Sequence, residues 1–246
     1  MIITFDIETL PTNDAEVIAQ FKADADKEKL SIKAPSNYKD EAKIAEYVAA
    51  KSAEIDAGVA DSIAKTSFSG LYGRIACICW QFEDGPVHTT LATDSEEEAI
   101  HRFYTSITTE TQLEIHKGFA QVDLTFCGHN VVGFDLPFLK HRSIILGIKP
   151  PKQLLKAMNA KPWDSCVADT MLMWSSDPHK RGSMDRLCKA FGIPGKGDFD
   201  GSMVAETWPI DPEKVIEYCA DDVIRTRHMY KRINFMPDEQ SFALAA

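Results

Sequence analysis

The sequence predicts an α/β fold, a mixed β-sheet flanked by helices with a helical insertion after the first strand. Three observations carry this. Short apolar runs rich in β-branched residues recur from the N-terminus to the middle of the chain. Amphipathic segments of helical period are interspersed with them and dominate the C-terminal half. Between residues 13 and 65 the composition shifts to Ala, Lys, Glu and Asp. Strands mixed with helices, with no internal repeat, bury their apolar faces best as helices packed on a sheet. A chain of 246 residues with 44% hydrophobic content can form one full core, so the expectation is a single domain, 1–246, with 13–65 inserted in it.

Met1–Ile7 is a short β-branched run, read as a buried strand. The stretches "EVIAQFKADADKEK" and "YKDEAKIAEYVAAKSAEIDAG" follow as two helices with a thin apolar stripe, the second ended by Gly58. Too little Gly, Ser or Pro is present for a flexible tether. "GRIACICWQF" and "PVHTTLAT" read as paired strands around "EDGP". Ser95 and Glu98 form a capping box that opens "SEEEAIHRFYTSI" as a helix. "LTFCGHN" is a further strand, "DLPFLKHRSIILG" a helix closed by Gly147, and "SMDRLCKAFG" a helix closed by Gly192.

The last helix spans Asp211–Arg232. Asp211 is a good N-cap, Pro212 suits the first helical position, and Glu213 complements the positive end of the dipole. Val215, Cys219, Val223, Thr226 and Tyr230 form its buried stripe. Two adjacent aspartates interrupt this helix. Asp221 points to solvent and pairs with Arg225 four residues on, an interaction of about 0.2–0.5 kcal/mol. Asp222 lies beside the buried stripe, on the face of Tyr218, where an uncompensated charge is costly. Something must neutralise it.

Elsewhere carboxylates gather in the same way. Asp6 and Glu8 in "FDIET" are two apart and leave one face of a strand together, where their mutual repulsion favours a bound cation. The competing reading is a solvated turn. Asp135, before Leu136-Pro137, reads as a helix N-cap, which does not account for Asn130 and Phe134 at fixed offsets before it.

Charge and cysteines limit the classes. The net charge of −10 argues against a nucleic-acid partner, but it is unevenly spread. Residues 140–196 hold 11 Lys or Arg against 4 Asp, a balance of +7 that leaves −17 elsewhere. Such a segment suits a polyanion on an otherwise acidic body. No apolar run approaches a membrane span, and "MIITFDIETL" lacks the features of a signal peptide. None of the six cysteines forms a C-x-x-C pair; Cys77 and Cys79 share a strand face, which leaves a zinc site open, although buried thiols in a reducing cytoplasm are the expectation.

Taken in order, Asp-x-Glu (Asp6, Glu8), Asn-x-x-x-Phe-Asp (Asn130, Phe134, Asp135) and Tyr-x-x-x-Asp (Tyr218, Asp222) resemble the motifs of the DEDD family of 3′-5′ exonucleases. The tyrosine form of the last motif resembles the branch that contains the proofreading domain of family B DNA polymerases. "LCKAFGIPGKGDFDGSMV" is similar to that domain's stand-alone relatives. This resemblance implies a ribonuclease H-like fold in which Asp6, Glu8, Asp135 and Asp222 converge on two divalent ions, Mg²⁺ or Mn²⁺, and so neutralise Asp222. Tyr218 would orient the attacking water. Thr9, Leu10, Asn130 and Phe134 would contact the 3′ end, Leu10 as a wedge, with Lys140, Arg142 and Lys196 as candidate phosphate contacts. The implied substrate is DNA, single-stranded at its 3′ end; whether a replication or repair protein is a partner is left open by the sequence. An RNA 3′-trimming nuclease with the same site, or a catalytically weak binding module, are the alternatives.

Overall fold

The computed structural model describes residues 1–119, 122–195 and 197–237. Lys196 and the last nine residues therefore lie outside the described residues. The chain divides into two compact units, one formed by Met1–Thr9 with the segment from Ile75 onward, the other by Leu10–Arg74.

The larger unit is built on a five-stranded sheet. Strand β1 is Ile2–Leu10; the other strands are β2 (Arg74–Phe82), β3 (Val87–Thr89), β4 (Thr125–Gly128) and β5 (Val167–Asp169), in the order β3-β2-β1-β4-β5. β1 pairs parallel with β4 (Ile3↔Phe126), and β4 parallel with β5 (Gly128↔Asp169), whereas β2 and β3 are antiparallel (Trp80↔His88). This is the mixed, helix-flanked sheet that the sequence predicts. In β1 the alternation of side chains sends Ile3, Phe5 and Ile7 into the core and Asp6 and Glu8 to the opposite face. Phe5 stacks on Phe103 at 5.4 Å and meets Phe126 edge-on at 6.3 Å, which ties β1 to its neighbours.

Helices α3 (Glu96–His116), α4 (Asp135–Leu146), α5 (Lys152–Ala157), α6 (Thr170–Trp174), α7 (Met184–Phe191), α8 (Val204–Thr207) and α9 (Pro212–Ile233) complete this unit. The capping box is present: Ser95 Oγ accepts from Glu98 N at 3.3 Å, and the Glu98 carboxylate accepts from Ser95 N at 2.8 Å. Gly147 and Gly192 end α4 and α7 with φ of 70° and 72°, a left-handed turn that a Cβ would strain. Three-residue β5 and short α5, α6 and α8 are additions to the expected elements. α9 is buried on more sides than its sequence stripe suggested, because β3, β4, α6, α7 and α8 all pack against it. Arg225, Arg227 and His228 are buried there with the apolar residues.

The smaller unit carries the two helices expected of the insertion, α1 (Ala15–Leu30) and α2 (Glu41–Ala64), followed by a 3₁₀ turn at Lys65–Phe68. α2 runs through Gly58 instead of ending there; the C-cap is Lys65. At Gly58 an added Cβ would meet nothing within 4 Å, and the glycine keeps ordinary helical geometry despite its weak propensity. Thr12 N donates to Thr66 Oγ1 at 2.8 Å, and Phe21 meets Tyr72 edge-on at 6.0 Å. Among the described residues of the two helices only Ala25 is buried, so their apolar seam is thin. Replacing residues 14–65 by a short Gly/Ser bridge is therefore expected to leave the larger unit folded, with a cooperative thermal transition and unchanged near-ultraviolet circular dichroism. A deleted chain that does not fold would show that this segment is part of the main core.

Candidate active site

The parallel strands β1, β4 and β5 bring their carboxyl ends together, and an open α/β sheet presents its binding crevice there. A cleft of about 400 Å³ opens at this edge, lined among others by Asp6, Glu8, Asn130, Asp135, Tyr218 and Asp222. Carboxylate oxygens of Asp6, Glu8 and Asp222 lie within 4.8 Å of one another. Three acids from the first strand and the last helix thus share one face of the cleft.

Asp135 reaches the same place by a route the sequence misjudged. It is not a cap: α4 begins at Asp135 itself, Phe134 occupies the cap position, and no side chain caps the helix. The Asp135 carboxylate turns instead to β1, where Oδ1 accepts from Ile7 N at 3.2 Å, between Asp6 and Glu8 in sequence. Desolvation, reinforced by the charges of Asp169 and Asp222, pushes its carboxyl up to about 7. The unfolded reference is about 3.9, so the metal-free folded chain holds an extra proton between roughly pH 4 and pH 7. Metal-free stability should therefore fall as pH rises through that window. Melting temperatures measured in chelator across pH should show this decline, and Asp135→Asn should flatten it.

The loop before Asp135 is set by Asp169, a residue the sequence analysis did not single out. It is buried at the end of β5, and its Oδ1 accepts from Asn130 N at 3.0 Å, Met171 N at 3.0 Å and Leu172 N at 3.3 Å. Its Oδ2 accepts from Val132 N at 3.0 Å. Asn130 adopts φ of 65°, a left-handed conformation that asparagine tolerates better than most residues. Its carbonyl then accepts from Gly133 N and Phe134 N, and the chain turns directly into α4. Gly128 allows the turn, since a Cβ there would stand 2.6 Å from Val131 Cβ. The available sequence signal was "VADT", an Asp before Thr at the start of a short helix. Asp185 and Asp200 also line the cleft and were not anticipated.

Asp222 is buried, and its neutralisation differs from expectation. Arg225 was assigned to Asp221 alone; its guanidinium instead serves both, with Nη1 on Asp222 Oδ1 at 2.9 Å and Nη2 on Asp221 Oδ2 at 3.0 Å. Arg225 can do so because it is itself buried, held by the Pro194 carbonyl at 3.2 Å and the Gly195 carbonyl at 3.0 Å. Three-residue and four-residue helical spacing both bring a side chain into reach. Asp221 is the exposed partner, at 60% against 4% for the Asp222 side chain. Tyr218 is buried one turn earlier, its ring packed edge-on against Phe199 at 4.9 Å.

The remaining candidate contacts divide. Asn130 and Phe134 line the cleft, and Thr9 is half-buried at the end of β1. Leu10 is 2% exposed, so it offers no edge to a base and fills core instead. Arg142 is buried in a two-pronged pair with Glu96, 2.8 Å through both Nε and Nη2, and Glu96 Oε1 also takes Ile75 N at 2.8 Å. A guanidinium committed to joining α4 to β2 is not a phosphate contact, and that expectation is withdrawn. Lys140 is half-exposed and reaches Asn159 Oδ1 at 2.6 Å. Lys196 lies outside the described residues.

The family model described as a predicted 3′-5′ exonuclease related to the exonuclease domain of PolB matches residues 74–243. The chain belongs to this family. Membership of a PolB-related exonuclease family supports nuclease activity on nucleic acid. The match runs from β2 onward and leaves out β1, so Asp6 and Glu8 enter the site on their geometry. Among solved structures, the chain is similar to the family B DNA polymerase of the hyperthermophilic archaeon Pyrobaculum calidifontis, at 18% identity and a TM-score of 0.49. The likeness covers 68% of this chain and 22% of the polymerase chain, so this chain spans only part of that polymerase's length. No curated protein matches the sequence. Among the described residues no helix is long and apolar enough to cross a membrane.

Proposed function

We propose that this protein is a 3′-5′ exonuclease of the tyrosine branch of the DEDD group, removing nucleotides from the 3′ end of single-stranded DNA. The observation that carries the reading is the convergence of Asp6, Glu8 and Asp222 within 4.8 Å in the cleft that Asp135 and Tyr218 also line. The gathered donors Asp6, Glu8 and Asp222 are all carboxylate oxygens, which suits a hard divalent cation, Mg²⁺ or Mn²⁺; His129 lines the cleft but is not among them. The four carboxylates would hold two such ions. When bound, the pair supplies an activated water and neutralises charge on the leaving oxygen. Asp135 must give up its raised proton to take part, so cation affinity should increase with pH up to about 7.

The chain's own groups then do the positioning. The Tyr218 hydroxyl orients the attacking water, and its burial beside Phe199 restricts the ring to few orientations. Asn130, held by Asp169, offers its amide to the substrate, and Phe134 packs near the terminal nucleotide. Lys140 lies on the basic stretch and steers phosphate. A cytoplasmic location accompanies this reading.

The test is nucleotide release from 3′-labelled single-stranded DNA and RNA with Mg²⁺, Mn²⁺ or chelator. Release of mononucleotides from DNA, abolished by chelator, is expected. Faster release from RNA would make the protein a 3′-trimming ribonuclease, and cation-independent binding without release would make it a binding module. Turnover should fall as salt rises, because phosphate contacts release counterions. Lys140→Glu should raise KM more than it lowers kcat; a salt-indifferent enzyme would make the basic stretch decorative.

A further inference from the structure

Directly behind the acidic cleft lies a second cluster. Cys77 and Cys79, alternate residues of β2, face Cys219 of α9, and the three sulfurs lie within 4.8 Å of one another. All three are wholly buried and free. The thiols contact one another, Cys77 also meets the Glu8 backbone, Cys79 Sγ reaches the Ile216 carbonyl at 3.6 Å, and Cys219 Sγ reaches the Asp6 carbonyl and Oδ2, both at 3.5 Å. Three sulfurs around one point suit a soft cation. A zinc–sulfur bond of about 2.3 Å separates ligand sulfurs by about 3.8 Å in a tetrahedron and about 4.0 Å in a plane. Sulfurs that all lie within 4.8 Å of one another are within reach of either arrangement.

We propose that Cys77, Cys79 and Cys219 form a binding site for a thiophilic closed-shell cation, zinc being the common one, separate from the carboxylate site of the cleft. Sulfur ligands select zinc and copper(I), whereas the carboxylates select harder ions, so the two sites sort cations by softness. Binding displaces the thiol protons to solvent and changes no oxidation state. Asp6 Oδ2 lies 3.5 Å from Cys219 Sγ, so the two sites are neighbours that share no ligand in this proposal. The site joins β2 to α9, the helix that carries Tyr218 and Asp222, so an occupied site pins that helix to the sheet.

Cadmium is the probe, because cadmium–thiolate bonds absorb in the ultraviolet and cadmium–carboxylate bonds do not. The full-length reduced protein is unfolded in guanidinium and refolded with or without Cd²⁺, which removes any barrier to entry. One equivalent retained through gel filtration, with the charge-transfer band and a higher melting temperature, is expected. Cys77→Ser and Cys79→Ser should each weaken Cd²⁺ binding by about tenfold or more, since even outer partners of a metal ligand are worth that much. Cys188→Ser, at a cysteine outside the trio, should leave the band intact. A refolded wild-type protein without the band overturns the proposal whether or not the variants fold. So does a band that persists in the Cys77→Ser, Cys79→Ser double variant.

Discussion

Asp222→Asn is expected to lower Mg²⁺-dependent hydrolysis by about two to three orders of magnitude, or about 2.7–4 kcal/mol at roughly 1.36 kcal/mol per decade. The substitution keeps the shape of the side chain and removes its charge from the proposed cation site. Folding should survive. The asparagine oxygen can still accept from Arg225 Nη1, and repulsion by the other carboxylates of the cleft is relieved. Asp221→Asn is the internal control. It disturbs the same guanidinium through Nη2, but at an exposed carboxylate where an ion pair is worth a few tenths of a kcal/mol to about 1 kcal/mol. Arg225 remains fixed by the two backbone carbonyls of residues 194 and 195. Activity should stay near wild type. Tyr218→Phe stands between the two, retaining cation binding while turnover falls. Steady-state rates and calorimetric Mn²⁺ affinity on the four proteins check the set. An inactive Asp221→Asn beside an active Asp222→Asn would remove the assigned register, the tyrosine pairing and the cation site together.

Asp169→Ala should show the opposite signature, with loss of the fold as well as of activity. Four backbone N–H groups from two segments converge on this one carboxylate. Each buried donor left without a partner costs roughly 1–3 kcal/mol, so a loss of about 3 kcal/mol or more in unfolding free energy is expected. Asp169→Asn should fall between. Its amide carries hydrogens on one side, so it cannot accept on both; turned to keep Asn130, Met171 and Leu172 on the oxygen, it faces Val132 N donor to donor. Denaturant unfolding at neutral pH measures the order of the three proteins. Equal stability of Asp169→Ala and wild type would mean that the loop entering α4 holds its shape without the carboxylate.

These two aspartates show which kinds of information sequence and fold each carry. The pattern in the chain sufficed where the physics is local. Caps, a capping box, terminal glycines and side-chain alternation act over a few residues, and they located β1, β2, β3, β4, α3, α4, α7 and α9. Alternation also put Asp6 and Glu8 on one strand face, and one helical turn put Tyr218 beside Asp222. Elements too short to show a period, such as β5 and α6, left no such trace. Tertiary structure decided the rest, because partners distant in the chain leave no spacing to read. Asp135 serves β1 instead of its own helix end because Ile7 N lies within its reach. Arg142 is lost to Glu96, and Arg225 is shared between neighbouring acids because surrounding helices bury it. Cys219 meets Cys77 and Cys79 only when α9 packs behind the sheet. Periodicity determines which face a residue occupies; the partner on that face, and hence its charge state and its chemistry, is set by what the fold brings against it.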